Sequence, residues 1–300
     1  MPPLDGTLVV DLTRYLPGPF ASRELQRLGA RVIRIEPREG DPMRRTAPAW
    51  HDALNAGKES VRFDLKADVE RARSLCAGAD VVIEGFRPGV AQRFGIAPSD
   101  LPETIVYCSI TGFGIGGRHE QHAAHDLNYL GWAGLLADTA PTLPPVQIAD
   151  LAAGSLTAVN RILAALLDRQ KTGRGGHVVV SMTHESHKLA AHRLGGEPIP
   201  RLLTGGLACY RIYPTADGRQ LTVAALEERF FRRLCELIGH EELVPRQYDP
   251  AAQEELADAL SSTFASRPLS AWLELFDGED VCVGPVATLE EAAADLAWEG

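Results

Sequence analysis

Lysine is scarce in this chain, and its cysteines never cluster. Only Lys58, Lys66, Lys171 and Lys188 interrupt a basic complement that is otherwise arginine. With 30 Lys and Arg against 40 Asp and Glu, the formal net charge is -10. So acidic a chain lacks the basic face of a general nucleic-acid binder, although a local basic pocket for a phosphorylated ligand is still allowed. Cys76, Cys108, Cys209, Cys235 and Cys282 lie far apart with no C-x-x-C pair. That spacing argues against a zinc ribbon, a dithiol redox motif and a disulfide framework. No apolar run of about 18 residues occurs and no basic-then-apolar leader opens the chain, so no membrane association is expected and the protein is placed in the cytoplasm. The G-x-G-x-x-G turn is missing after the first strand-like run, which leaves a dinucleotide cofactor unsupported. No internal repeat or low-complexity tract stands out.

What the chain does contain is strand and helix signals in alternation. Its 300 residues, 45% of them hydrophobic, are enough for two cores. Thr7-Leu8-Val9-Val10-Asp11-Leu12 reads as a strand broken by Pro17-Gly18-Pro19, then a helix over residues 20–28 stopped by Gly29. Strands are predicted at residues 31–36, 60–65, 80–84, 104–110 and 177–182, with a helix over 68–77. Short, continuously apolar strands joined by helices belong in a parallel sheet covered on both faces, so the fold class is α/β with a Rossmann-like open parallel sheet. From Asp150, apolar residues at spacings of three and four predict a long amphipathic helix to about residue 170, terminated at Gly173. The polar stretch 186–201 reads as irregular chain. It separates a large domain, 1–185, from a smaller α+β domain, 186–300, that opens on a hairpin turning at Ala216-Asp217-Gly218.

Two side chains stand out as proton carriers. His125, in Ala124-His125-Asp126-Leu127-Asn128-Tyr129, and Asp150 each precede a segment that reads as a helix. An imidazole and a carboxylate can each take up and return a proton, and in this fold they could face each other across one substrate. An Asp just ahead of a helix is also the ordinary N-cap residue, so Asp150 has a structural role open to it as well. His119, His122 and His125 recur every third residue, but Gly114-Ile115-Gly116-Gly117 points to a loop, and no metal site is expected.

Eight blocks in order resemble the family III CoA transferases, the superfamily that includes the α-methylacyl-CoA racemases. They begin with Val10-Asp11-Leu12-Thr13 and Pro17-Gly18-Pro19-Phe20, continue through Gly40-Asp41-Pro42, Leu54-Asn55-Ala56-Gly57-Lys58, Asp64-Leu65-Lys66 and Glu84-Gly85-Phe86-Arg87-Pro88-Gly89-Val90, and close with Gly112-Phe113-Gly114 and the His125 block. The segment between Met182 and Gly205 is shorter than in those racemases. The resemblance implies a Rossmann-like CoA-binding domain, a smaller domain and an interlocked homodimer. It also implies an acyl-CoA substrate with no permanently bound cofactor, coenzyme A entering only as part of that substrate.

By the same resemblance His125 and Asp150 are the acid–base pair of an α-proton transfer, supported by Glu227, and Asp126 and Tyr129 join the substrate-binding residues. Arg87 and Arg93 flank a probable helix start after a strand, where an open α/β sheet binds phosphates. Arg34 and Arg38, near the end of the second strand, are candidates for the adenosine phosphate, and Lys58 is a further one. The main rival reaction is CoA transfer between carboxylic acids through an aspartyl-CoA thioester on Asp150. The imidazole of His125 and the reduction of the glycine loop to Gly205-Gly206 favour racemisation. A CoA-binding protein without catalysis is the third reading, and the joint presence of His125, Asp150 and Glu227 counts against it.

Overall fold

Six strands, apolar at the centre of the sheet and polar at the edge strand Glu59–Arg62, pair in parallel. The computed structural model describes residues 1–199 and 201–296. Its strands β1 (Leu8–Asp11), β2 (Arg31–Glu36), β3 (Glu59–Arg62), β4 (Val81–Glu84), β5 (Val106–Thr111) and β6 (Gly176–Ser181) stand in the order β3-β2-β1-β4-β5-β6. Every neighbouring pair in that sheet is parallel. Side chains alternate between its faces because successive Cβ atoms point opposite ways. Val9, Val32, Val81, Ile83 and Cys108 pack on one side with Leu25, Ala158 and Ile162. Val10, Ile35, Val82 and Tyr107 pack on the other with Ala72 and Cys76. Both faces of the central strands are therefore dry, which is why those strands read as continuous apolar runs.

Contacts divide the chain into two units, Met1–Ala191 and His192–Gly300. The second holds an antiparallel sheet of β7 (Tyr210–Pro214), β8 (Gln220–Ala224) and β9 (Val283–Pro285), in that order. Helices Glu228–Ile238, Gln253–Phe264 and Leu269–Phe276 supply Phe231, Leu234, Phe264 and Trp272 to its core. The indole of Trp272 donates to the Phe264 carbonyl at 2.9 Å, so its one polar group is satisfied.

Three sequence expectations are corrected. The helix expected from residue 20 opens earlier, at Pro17, and runs over Pro17–Arg27, because a proline in the first turn lacks only an N–H that would have no partner there. Residues 186–189 and 191–194 of the stretch expected to be irregular are helical, within Met182–Leu189 and Ala191–Leu194. Ser181 caps the first of these, accepting the His184 N–H at 3.4 Å. The third correction concerns the helix from Asp150. Ala149–Leu156 is wound as a π-helix, and only Thr157–Thr172 is an α-helix, ended by left-handed Gly173. Together these 24 residues are long and apolar enough to cross a membrane, yet Ala158, Val159, Ile162 and Leu166 are buried in the core beside the sheet.

Candidate active site

The sheet order reverses between β1 and β4, and the loops leaving the carboxyl ends of those strands diverge there. In open α/β sheets that crevice is where ligands bind. Here it is a cavity of about 990 Å³, lined entirely by the first unit. The loop after β1 contributes Thr13, Arg14, Tyr15, Pro17 and Gly18; that after β2, Arg38; that after β3, Lys66; and that after β4, Gly85, Phe86 and Arg87. His125, Asn128, Tyr129 and Asp150 complete the wall.

His125 stands immediately before the helix Asp126–Trp132, in an extended conformation, with its backbone N–H bonded to Asn128 Oδ1 at 3.0 Å. That bond fixes the backbone and leaves the imidazole exposed, with no hydrogen bond among the described residues. Tyr129, one turn on, donates its hydroxyl to the Ala124 carbonyl at 2.8 Å and lies over Gly112. A Cβ at Gly112 would come within 2.6 Å of the tyrosine ring, so this close approach requires glycine.

Asp150 is not the N-cap that its sequence position suggests. Ile148 precedes the π-helix and Asp150 lies inside its first turn. Its backbone N–H donates to Asp126 Oδ1 at 2.8 Å, so one carboxylate holds the backbone of the other. That bond occupies the Asp150 N–H, which is therefore not free to donate to a ligand. The Asp150 carboxyl is pushed up to about 6 by burial and by the charge of Asp126, against a smaller lowering by His125. Its proton is therefore exchangeable near neutral pH.

The phosphate candidates separate by burial. Arg38 and Arg87 are exposed on the cavity wall, where Arg38 also bonds Asp68 at 3.0 Å. Arg34 is only 1% exposed, and its guanidinium bonds Asp41 at 2.7 Å and Glu36 at 3.1 Å. It is committed to the fold, and the expectation that it meets a phosphate is corrected. Lys58 is likewise buried, donating to Pro19 O, Ser22 Oγ and Asn55 Oδ1 at 2.7, 2.9 and 3.0 Å. Burial lowers its pKa to about 8 despite the Asp11 carboxylate, with Arg34 and Arg23 lowering it further. Arg93 is exposed but does not line the cavity, and Asp126 is buried and does not line it either. Glu227 belongs to the second unit, as the residue preceding the helix Glu228–Ile238. Arg14 and Lys66 were missed by the sequence reasoning, although both follow strands at their carboxyl ends, which is the signal that would have found them. His119 and His122 pair through their Nδ1 atoms at 3.2 Å, with the His119 ring 4.3 Å from that of Trp132. Among the described residues no three His, Cys, Asp or Glu side chains group as metal ligands.

The loop that presents Arg38 hangs on Glu36. Burial pushes the Glu36 carboxyl up, but hydrogen bonds from Arg44 and Ser60, the Arg34 charge and the Asp41 N–H outweigh it and hold the group at about 2. A carboxylate with a depressed folded pKa stabilises fully above its unfolded value, and loses that contribution as pH falls toward the folded one. Glu36→Gln is expected to cost on the order of 3 kcal/mol at pH 7. Urea denaturation at pH 7 and again near pH 3 checks this, because the gap from wild type should narrow at the lower pH. A gap of equal size at both would exclude the charge as its source.

With this geometry in hand, comparison with known proteins is decisive. The profile of CoA-transferase family III matches residues 4–299. The chain belongs to that family. Among its relatives is the α-methylacyl-CoA racemase of Mus musculus, 34% identical over 308 residues, covering 96% of this chain and 79% of the relative. Another is the human succinyl-CoA:glutarate CoA-transferase, 32% identical over 324 residues, covering 98% and 74%. The crystal structure of Rv3272 from M. tuberculosis superposes with a TM-score of 0.86 at 29% identity, covering 98% of this chain and 85% of that one. The family thus holds racemases and transferases at nearly equal distance from this chain, and identity alone does not separate them.

Proposed function

We propose that this member of CoA-transferase family III is an acyl-CoA isomerase that inverts the α-carbon of a 2-methylacyl-CoA. The observation that carries the reading is one cavity lined both by an imidazole without a hydrogen bond among the described residues and by a carboxyl poised at about 6. A C–H next to a thioester carbonyl is weakly acidic. Either His125 or Asp150 removes that proton from one face, the electron pair passes into the carbonyl as an enolate, and the other residue returns a proton to the opposite face. Both groups serve as acid and as base, so the reaction runs in both directions. Backbone N–H groups at the start of the Asp126–Trp132 helix are the donors at hand for the enolate oxygen. Arg14, Arg38, Lys66 and Arg87 provide the positive rim for the phosphates of the CoA moiety. Glu227 is assigned to support His125, acting within the interlocked homodimer of the family, and the enzyme is assigned to the cytoplasm with no bound cofactor beyond its substrate.

Transfer of CoA between carboxylic acids is the second reading. Its support is the human transferase relative together with the placement of Asp150, whose carboxylate could attack a thioester. Incubating a single-enantiomer 2-methylacyl-CoA with the protein in heavy water, without a second acid, distinguishes the two. Deuterium at the α-carbon with loss of stereochemical purity is the expected result. Absence of exchange, with movement of CoA onto an added carboxylic acid, would make Asp150 a nucleophile and the protein a transferase.

A further inference from the structure

Tyr15 adopts φ +66°, the left-handed region that a bulky side chain enters only under constraint. Among the described residues only Arg201 and Cys282 share this departure without being glycine. Tyr15 is 57% exposed, so packing into the core does not hold it there. The loop around it is instead tied at both ends. On one side the Thr13 N–H donates to Asp11 Oδ1 at 2.8 Å, and the Thr13 hydroxyl bonds the same oxygen. On the other, Ser155 Oγ donates to the Pro17 carbonyl at 2.6 Å, and Lys58 Nζ to the Pro19 carbonyl at 2.7 Å. Gly18 lies so close to Thr13 that a Cβ there would come within 2.1 Å of Oγ1.

A strained residue persists where its surroundings over-determine it, and such residues gather at ligand clamps. Here the surroundings are rigid, yet the side chain has little contact of its own to justify the strain. It does line the cavity that holds His125 and Asp150. In chain order it falls between Arg14, one of the rim cations, and Pro17, whose carbonyl is tied to the π-helix carrying Asp150. We propose that Tyr15 is a substrate-binding residue whose ring packs against the pantetheine arm of the acyl-CoA, between the phosphates at the basic rim and the thioester at the acid–base pair. The assignment rests on the acyl-CoA reading above and deepens it. The tied loop fixes the backbone that carries the ring before the ligand arrives, so less backbone freedom is lost on binding.

The strain makes the proposal testable, because relieving it should move stability and affinity in opposite directions. Glycine adopts this backbone conformation without steric cost. Tyr15→Gly is therefore expected to keep or raise the Tm, while calorimetric titration shows roughly tenfold weaker binding of coenzyme A. Adenosine 3′,5′-bisphosphate, which has no pantetheine arm, should bind wild type and variant alike, and Tyr15→Phe should keep the affinity for coenzyme A. Unchanged coenzyme A binding by Tyr15→Gly would overturn the assignment. So would an equal loss for both ligands, which would take the ring away from the arm, or a lowered Tm, which would make the side chain part of the fold. Wild-type protein that binds no coenzyme A would instead overturn the acyl-CoA reading and, with it, this inference.

Discussion

Asp150→Asn is expected to abolish α-proton exchange, with a loss on the order of 10²–10⁴-fold, while making the protein more stable at neutral pH. The two effects share one cause. Burial and the Asp126 charge hold the Asp150 carboxyl at about 6, well above an ordinary aspartate, so its ionised form is disfavoured in the folded state. A raised folded pKa means that the native state is favoured while the group is protonated and loses that advantage as pH rises through about 6. The neutral amide avoids that loss. Its gain in Tm should be visible at pH 7 and vanish below about pH 4, where the wild-type group is protonated both folded and unfolded. In the direction where Asp150 acts as base, the wild-type rate should fall below about pH 6. His125→Ala gives the complementary result: exchange lost on the same scale, but CoA transfer, if the protein carries it out, largely kept. Thermal melts and heavy-water exchange on the two variants suffice, and an Asp150→Asn protein that still exchanges would remove Asp150 from the chemistry.

Asp11→Ala is expected to destabilise the first unit by about 3–5 kcal/mol, the scale for stranding a buried charge. Asp11 is fully buried at the end of β1 and receives the Thr13 N–H, the Thr13 hydroxyl and, at 2.5 Å, the Ser22 hydroxyl. The Lys58 ammonium lies 3.9 Å away. Alanine leaves both Thr13 donors without an acceptor, the Ser22 hydroxyl with only the Pro19 carbonyl at 3.3 Å, and the ammonium without its counter-charge, in a place that already depresses its pKa. Lys58→Met should cost less than Asp11→Ala, and the double variant less than the sum of the two, because each single change strands what the other removes. Guanidinium denaturation of the three variants measures the coupling. Strict additivity would show that the pair does not act as a unit. The same carboxylate anchors the loop that bears Arg14 and Tyr15, so weaker binding of coenzyme A should accompany the loss of stability.

The family and the α/β class were legible in the chain because local pattern carries them. β2 runs over Arg31–Glu36, as its apolar run predicts, and β8 over Gln220–Ala224, because short-range periodicity and flanking turn residues act within a few positions of the strand they bound. The alternation of strands with helices made a parallel sheet the natural solution. His125 and Asp150 could be named as candidates because their residue types fit one chemistry, and both line the same cavity.

Only the tertiary structure could sort equal charges. Arg34 and Arg38 are four positions apart and alike in sequence, but one is enclosed by Asp41, Glu36 and His51, and the other faces the cavity. Which arginine is buried depends on groups brought in from beyond its own strand, and no local signal encodes that. The π-helical winding at Asp150 is of the same kind: the Asp126 carboxylate that receives the Asp150 N–H comes from another helix, and Ser155 turns its hydroxyl to Pro17 in the loop after β1. The strain at Tyr15 follows from ties at both ends of its loop. Sequence by itself determined the family, the alternation of strands and helices, and which side chains are candidates for chemistry. Long-range packing decided which side chains are left free to perform it, because burial and electrostatic environment are properties of neighbours far apart along the chain.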